Sequence, residues 1–509
     1  THDIAIIMNG GTVKKNIQCG GANGGTINGT GSIAITGGTV EGNVYGTGDY
    51  YVVVGEIKLT VGGTAKIGSG EDSGIFINSG SGTAGVPVTK GVDTFKIEPD
   101  LAEGANVCVR LPYVVVDQTV IATEAVSADC PYISLTGTNV SSKMVYFDEA
   151  DSTIKVKEKT NVVPTVLSNE IYANGAEIKI VAGNTPDYTN VLYDKDGDGQ
   201  IEDTEYLEIG STEPTAAGYD LMFYDVYGGS YNTAITANPK ITMTGGNVTR
   251  IHGGGYNSVV TGDTSVTVSG GETSYLFGGG SGPNSNVTGN TAVTISGGRM
   301  TAVYGGGATD SNISRDTSVT ISGGKVINVY GGGSGGNVEG STSVDISGGE
   351  AMSVCGGGYL GTVTETATVI IRGGTVSNNV YGVSNISEDT TVEGGSTVTI
   401  GGGVNIGSPD NPNSGIVING GTDSITNGVT SFVIGNDLTG TAGSIFVSLP
   451  AGYTGGIIAT EAVSGDLAKI KLAGNGAVGK EAYLDGTVIK VRQSGVDKTA
   501  LSEAIAARS

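Results

Sequence analysis

The chain repeats one phrase of about 25 residues six times over. Its Gly-Gly pairs begin at Gly245, Gly270, Gly297, Gly323, Gly348 and Gly373, in steps of 25 to 27 residues. The glycine-rich corners at Gly253, Gly278, Gly305, Gly331 and Gly356 keep the same step. A unit this short cannot enclose a core, so it must be one rung of a stack that buries its apolar side chains on the next rung. Within a rung, Val266 and Val268 alternate with Ser265, Thr267 and Ser269, the period of a strand with one face buried and one wet. Three short strands and three corners per repeat predict an all-β chain, a right-handed parallel β-helix: a three-sided solenoid with about 25 residues per coil.

Stacking can be read as columns. The residues before the corners, Tyr227, His252, Phe277, Tyr304, Tyr330, Cys355 and Tyr381, form one mostly aromatic ladder. Met243, Val268, Ile295, Ile321, Ile346 and Ile371 form an inward column, and Asn247, Glu272, Arg299, Lys325 and Glu350 an outward one in which opposite charges are neighbours twice. A further outward column, Thr242, Thr267, Thr294 and Thr320, is broken by Asp345 and Ile370, which argues against an ice-binding face.

A longer repeat underlies the short one. Ile35-Thr-Gly-Gly-Thr-Val returns as Ile371-Arg-Gly-Gly-Thr-Val, and Ile121-Ala-Thr-Glu-Ala-Val-Ser as Ile458-Ala-Thr-Glu-Ala-Val-Ser. The same shift of 336 to 338 residues carries Cys19 onto Cys355 and Leu111-Pro112 onto Leu449-Pro450. The organisation this predicts is a tandem: a short β-helix module with a C-terminal cap over 1–160, an entry segment over 161–215, a long β-helix module with its cap over 216–495, and the start of a helical tail or linker over 496–509.

Composition narrows the partners. With 26 Lys and Arg against 50 Asp and Glu the net charge is −24, which would repel nucleic acid and anionic membranes. No apolar run is long enough to insert in a membrane. Thr1 does not begin a secretory leader, pointing to a mature fragment of a longer multi-module protein. Only 4 Cys and no Trp in a Thr-, Ser-, Asn- and Gly-rich acidic chain suit an extracellular location, secreted or on a bacterial cell surface.

Cys108 aligns with Phe446 and Cys130 with Leu467, so both cysteines are replaced by bulky apolar residues together. A disulfide between them is one reading; two buried free thiols, at positions that never touch, is the other. Cys19 and Cys355 read as small core residues.

The strongest chemical motif is Asp194-Lys-Asp-Gly-Asp-Gly-Gln-Ile-Glu-Asp-Thr-Glu205. Asp194, Asp196 and Asp198 hold loop positions one, three and five, Gln200 offers its carbonyl at seven, and Glu205 can bind bidentately at twelve. This resembles an EF-hand-type loop, and its hard oxygen ligands suit Ca²⁺. The flanks Asn190-Val-Leu-Tyr193 and Tyr206-Leu-Glu-Ile209 do not read as helices, so the loop is similar to the single calcium loops that staple extracellular bacterial domains.

Catalytic groupings are scarce. Of the 2 His, His2 lies at the terminus and His252 within the aromatic ladder, which leaves little for a Ser-His-Asp or Cys-His arrangement. The rungs resemble the scaffold of pectate lyases, polygalacturonases and phage tailspikes, and Asp497-Lys-Thr-Ala-Leu-Ser-Glu-Ala-Ile-Ala-Ala-Arg508 resembles the opening of the FIVAR modules of long Gram-positive surface proteins. The first resemblance implies architecture; a polysaccharide lyase or glycoside hydrolase would also need clustered acids, with a basic group, on one outer face. The reading that follows is a rigid stalk or adhesin that binds glycans or host or bacterial surface proteins. Tyr256 and Tyr359, each just after a glycine corner, are its candidate ligand contacts. A polysaccharide-degrading enzyme is the alternative.

Overall fold

The computed structural model describes residues 3–19, 25–27, 29–47, 51–53, 55–70, 73–77, 81–83, 86–87, 91–102, 104–111, 119–137, 140, 143–148, 150–158, 162–183, 188–195, 200–209, 219–221, 224–385, 390–420, 427–441 and 443–495. The fold is a parallel β-helix of about 14 turns. Described residues up to 158 belong to one compact unit and those from 162 onward to a second. His2 and the 496–509 segment lie outside the described residues.

In the second unit one face is built from Lys240–Met243, Thr264–Val268, Thr291–Ile295, Thr317–Ile321, Thr342–Ile346 and Ala367–Ile371, all parallel. Their register aligns Met243, Val268, Ile295, Ile321, Ile346 and Ile371 as one column, so every rung places an apolar side chain over the last. All six are almost fully buried, where each aliphatic side chain contributes roughly 1.5–3 kcal/mol by leaving water. A second face runs from Asn247–His252 through Glu272–Phe277, Arg299–Tyr304 and Lys325–Tyr330 to Glu350–Cys355. The third is a line of single bridges joining Val260, Val287, Ile313, Val338 and Val363.

The two glycine series have different causes. Gly271, Gly298 and Gly324 sit at φ of 83°, 82° and 80°, a left-handed turn that a Cβ disfavours. Gly305 is required by proximity instead: a Cβ there would lie 2.2 Å from the carbonyl oxygen of Gly331 on the next rung. Threonine hydroxyls then tie each coil to itself, since Thr264, Thr291 and Thr317 donate through Oγ1 to the carbonyls of Gly278, Gly305 and Gly331, each at 2.5 Å. Side-chain oxygens of Asn286, Asn312 and Asn337 accept the backbone N–H of the next rung's Asn312, Asn337 and Thr362 at 2.8–3.0 Å, continuing the ladder through corners where strands stop.

The entry segment is integral to this stack. Glu177–Ala182 pairs in parallel with Lys240–Met243, aligning Ile178 with Ile241 and Ile180 with Met243, and its own hairpin partner Thr189–Tyr193 runs antiparallel. Ile171, Ile178, Ile180, Val191 and Leu207 share one apolar cluster with the rungs.

The first unit stacks Ile4–Val13, Gly31–Val40, Ile57–Gly63 and Thr94–Leu101 in parallel. Its closing part continues with Asn106–Arg110 and Ile133–Thr136 and then reverses into the antiparallel hairpin Lys143–Asp148 with Thr153–Glu158. The second unit closes likewise, with Ile445–Ser448 on Ile470–Ala473 and the hairpin Lys480–Asp485 with Val488–Gln493. One buried aspartate organises each closure: Asp129 Oδ2 accepts Val126 N–H at 2.9 Å and Asp466 Oδ2 accepts Val463 N–H at 2.8 Å. Both turns start from a positive-φ glutamate, Glu124 and Glu461.

Candidate functional site

The acidic loop hangs from the hairpin strand Thr189–Tyr193 and returns beside it. Leu207 N–H donates to Val191 O at 2.8 Å and Tyr193 N–H to Glu205 O at 3.2 Å, which brings the first and last loop positions together. Glu205 is buried, and its two carboxylate oxygens accept Lys195 N–H at 2.8 Å and Glu202 N–H at 3.0 Å. Asp194 Oδ1 is shielded from solvent at the other end, and Gln200 is exposed. Asp196 and Asp198 lie outside the described residues. A buried carboxylate at position twelve and a shielded carboxylate oxygen at position one are the hard donors a Ca²⁺ ion takes; the first flank is the strand Thr189–Tyr193, the second is joined by single bridges, and neither is a helix.

Beside this loop lies a cavity of about 780 Å³. Tyr193, Tyr206, Tyr219 and Tyr224 line it, with Lys195, Glu208 and Asp220. The tyrosines come from separate stretches, each pinned by backbone: Tyr206 bridges Leu192, Tyr219 exchanges two hydrogen bonds with Thr189 at 2.8 and 2.9 Å, and Tyr224 N–H donates to Leu221 O at 2.9 Å. Lys195 Nζ stands 3.5 Å from Glu208 Oε1.

The aromatic ladder is a continuous stack. Centroids are 4.9 Å apart from Tyr172 to Tyr227, 4.5 Å to His252, 4.7 Å to Phe277, and 4.8 Å to Tyr304 and again to Tyr330. Cys355 and Tyr381 continue the column, and burial pushes the Cys355 thiol far up. His252 is held neutral: burial, with the nearby Arg250 charge adding to it, pulls its pKa down to about 3. It packs as a flat, uncharged ring at neutral pH.

Tyr256 stacks on Tyr231 at 5.8 Å, and Tyr359 meets Tyr330 edge-on at 5.7 Å. They occupy the same corner position four rungs apart, about 19 Å at ~4.8 Å per rung, so they do not converge on one ligand group. Cys108 and Cys130 are free thiols. Cys108 sits in a niche floored by glycine, where a Cβ on Gly68 would fall 2.7 Å from its own Cβ, while Cys130 packs on the apolar core from the turn Ser127–Tyr132. Phe446 occupies the same niche over Gly407 and Gly415, which accounts for the exchange of Cys108 for a larger apolar residue without a bridge.

On the outer face, Glu272, Arg299 and Lys325 line a shallow groove of about 400 Å³. Arg299 pairs with Glu272 at 3.4 Å and Lys325 with Glu350 at 2.8 Å, all strongly exposed. Among the described residues no helix is long and apolar enough to cross a membrane. The chain matches no protein-family model, no curated protein and no solved structure.

Proposed function

We propose that this chain is an extracellular bacterial surface protein, a rigid stalk or adhesin stapled by one Ca²⁺ ion, that presents binding surfaces for glycans or surface proteins. The observation that carries this reading is the in-register stack of the second unit, in which column after column repeats without a break from Lys240 to Ile371. Such a stack resists bending because every rung is fixed by its two neighbours. The Ca²⁺ ion would be held by Asp194 and Glu205 with Gln200, Asp196 and Asp198, and would neutralise an acidic loop that otherwise repels itself. Calorimetry of the whole chain is expected to show calcium uptake that Asp194→Ala abolishes; equal heats from both proteins would overturn the staple.

The outer groove favours a second reading, a polysaccharide lyase or hydrolase, because it places Glu272 beside Arg299 and Lys325 on one face. Its charges are already paired, however. Lys325 beside Glu350 holds that carboxyl below its ordinary range, the opposite of what a general acid needs. Incubation with calcium and a panel of acidic and neutral polysaccharides is expected to release no new reducing ends; release would make the enzyme reading the correct one and Glu272, Arg299, Lys325 and Glu350 its first targets for mutation.

A further inference from the structure

Elsewhere in the second unit aliphatic columns and one aromatic ladder fill the interior, whereas beside the acidic loop four tyrosines, with Val163, Val166, Leu207 and Ile209, surround an open cavity. Its size, about 780 Å³, falls within the range of small-ligand pockets. Tyrosine rings offer flat apolar faces with a polar rim, the surface that suits the C–H faces and hydroxyls of a pyranose ring. Strand pairing or turns fix the backbone at Tyr193, Tyr206, Tyr219 and Tyr224, so the positions from which the rings project are set before anything binds.

From this we infer that the cavity is the glycan site of the chain, and that it takes a neutral or N-acetylated oligosaccharide in preference to a uronic-acid polymer. The inference rests on the binding reading above and goes further by naming the place and the ligand class. Charge decides the class. The cavity carries Lys195 against Glu208 and Asp220, one positive group against two negative, within a chain whose net charge is −24. A polyanion would approach against that field and bring its carboxylates next to Glu208 and Asp220, whereas neutral hydroxyls can donate to both acids and accept from Lys195.

The chain contains no Trp, so its intrinsic fluorescence comes from its 22 tyrosines, and the part that Tyr206→Ala and Tyr219→Ala remove is the part the cavity contributes. A printed array of neutral, N-acetylated and uronic-acid oligosaccharides identifies the bound probe, and titration of that oligosaccharide by tyrosine fluorescence and calorimetry gives its affinity. Tyr206→Ala and Tyr219→Ala are each expected to weaken binding at least tenfold. Glu208→Gln, on an exposed side chain that leaves the thermal midpoint unchanged, is expected to weaken it several-fold. Binding unaltered by all three variants would overturn the cavity as the site while leaving the adhesin reading standing. Exclusive binding of uronic-acid oligomers would overturn the ligand class. A silent array for the unmodified chain would overturn the site together with the glycan-binding reading on which it rests.

Discussion

The rungs between Lys240 and Ile371 and the closing segments that follow Asn106 and Ile445 meet the same need, covering apolar surface, in opposite ways. In the rungs each task is done by a column: branched aliphatics inside, threonine hydroxyls on corner carbonyls, asparagine oxygens on the amides above. In the closures each task falls to one side chain. Asp129 in the first unit and Asp466 in the second hold a turn through a buried carboxylate, and nothing above or below repeats it. Repetition spreads load over neighbours, whereas a closure concentrates it on a residue with no substitute.

The comparison predicts where damage is greatest. Gly305→Ala forces a Cβ onto the Gly331 carbonyl, a backbone atom that cannot move without shifting its own rung, so a loss of about 4 kcal/mol or more is expected in chemical denaturation. Asp466→Ala strands the Val463 amide and leaves the partly exposed Lys469 ammonium, 3.1 Å away, with the Leu438 carbonyl but no counter-charge, and should cost about 3 kcal/mol. A closure that tolerated this change while the rungs failed at Gly305 would show that repetition, not uniqueness, is the vulnerable design.

His252 is the ladder member whose ionisation bears on stability in acid. Its pKa falls from 6.5 in the unfolded chain to about 3 in the fold, so the neutral ring stabilises fully above pH 6.5 and progressively less as pH drops toward 3. Between pH 7 and pH 5 this amounts to about 2 kcal/mol. His252→Phe keeps a flat ring between Tyr227 and Phe277, and is expected to remove that part of the acid sensitivity; parallel pH profiles for the two proteins would contradict it. The smallest effect belongs to the outer charges: Arg299→Ala breaks an exposed pair with Glu272 and should shift stability by less than about 1 kcal/mol.

Columns made most of this fold legible in the sequence. The register of Val268 on Ile295, the aromatic stack through His252, and the charge neighbours Glu272 with Arg299 and Lys325 with Glu350 all follow from self-alignment of the repeat. Tyr172 was not legible as the first ring of that stack, because its segment has no Gly-Gly pair to align. Only its pairing with Tyr227 reveals the continuation. The cavity was hidden for a related reason: Tyr193, Tyr206, Tyr219 and Tyr224 follow neither the strand period nor the coil period, and they meet only when the loop folds back. The acidic loop itself was legible as a motif, since its oxygen donors are set by local spacing.

The threonine hydroxyls that tie each coil to its own corner carbonyl have a mechanical consequence. They make a coil a closed loop that holds together until its last neighbour lets go, so tension applied between the two ends of the stack would not be shared evenly along it. Once the pull reaches the rungs between Lys240 and Ile371, each coil that yields releases about 25 residues, or roughly 80 Å of slack at ~3.3–3.6 Å per residue, before the next coil feels it. A single molecule stretched this way would lengthen in equal strides, a shock absorber whose stroke is written in the period of its glycines.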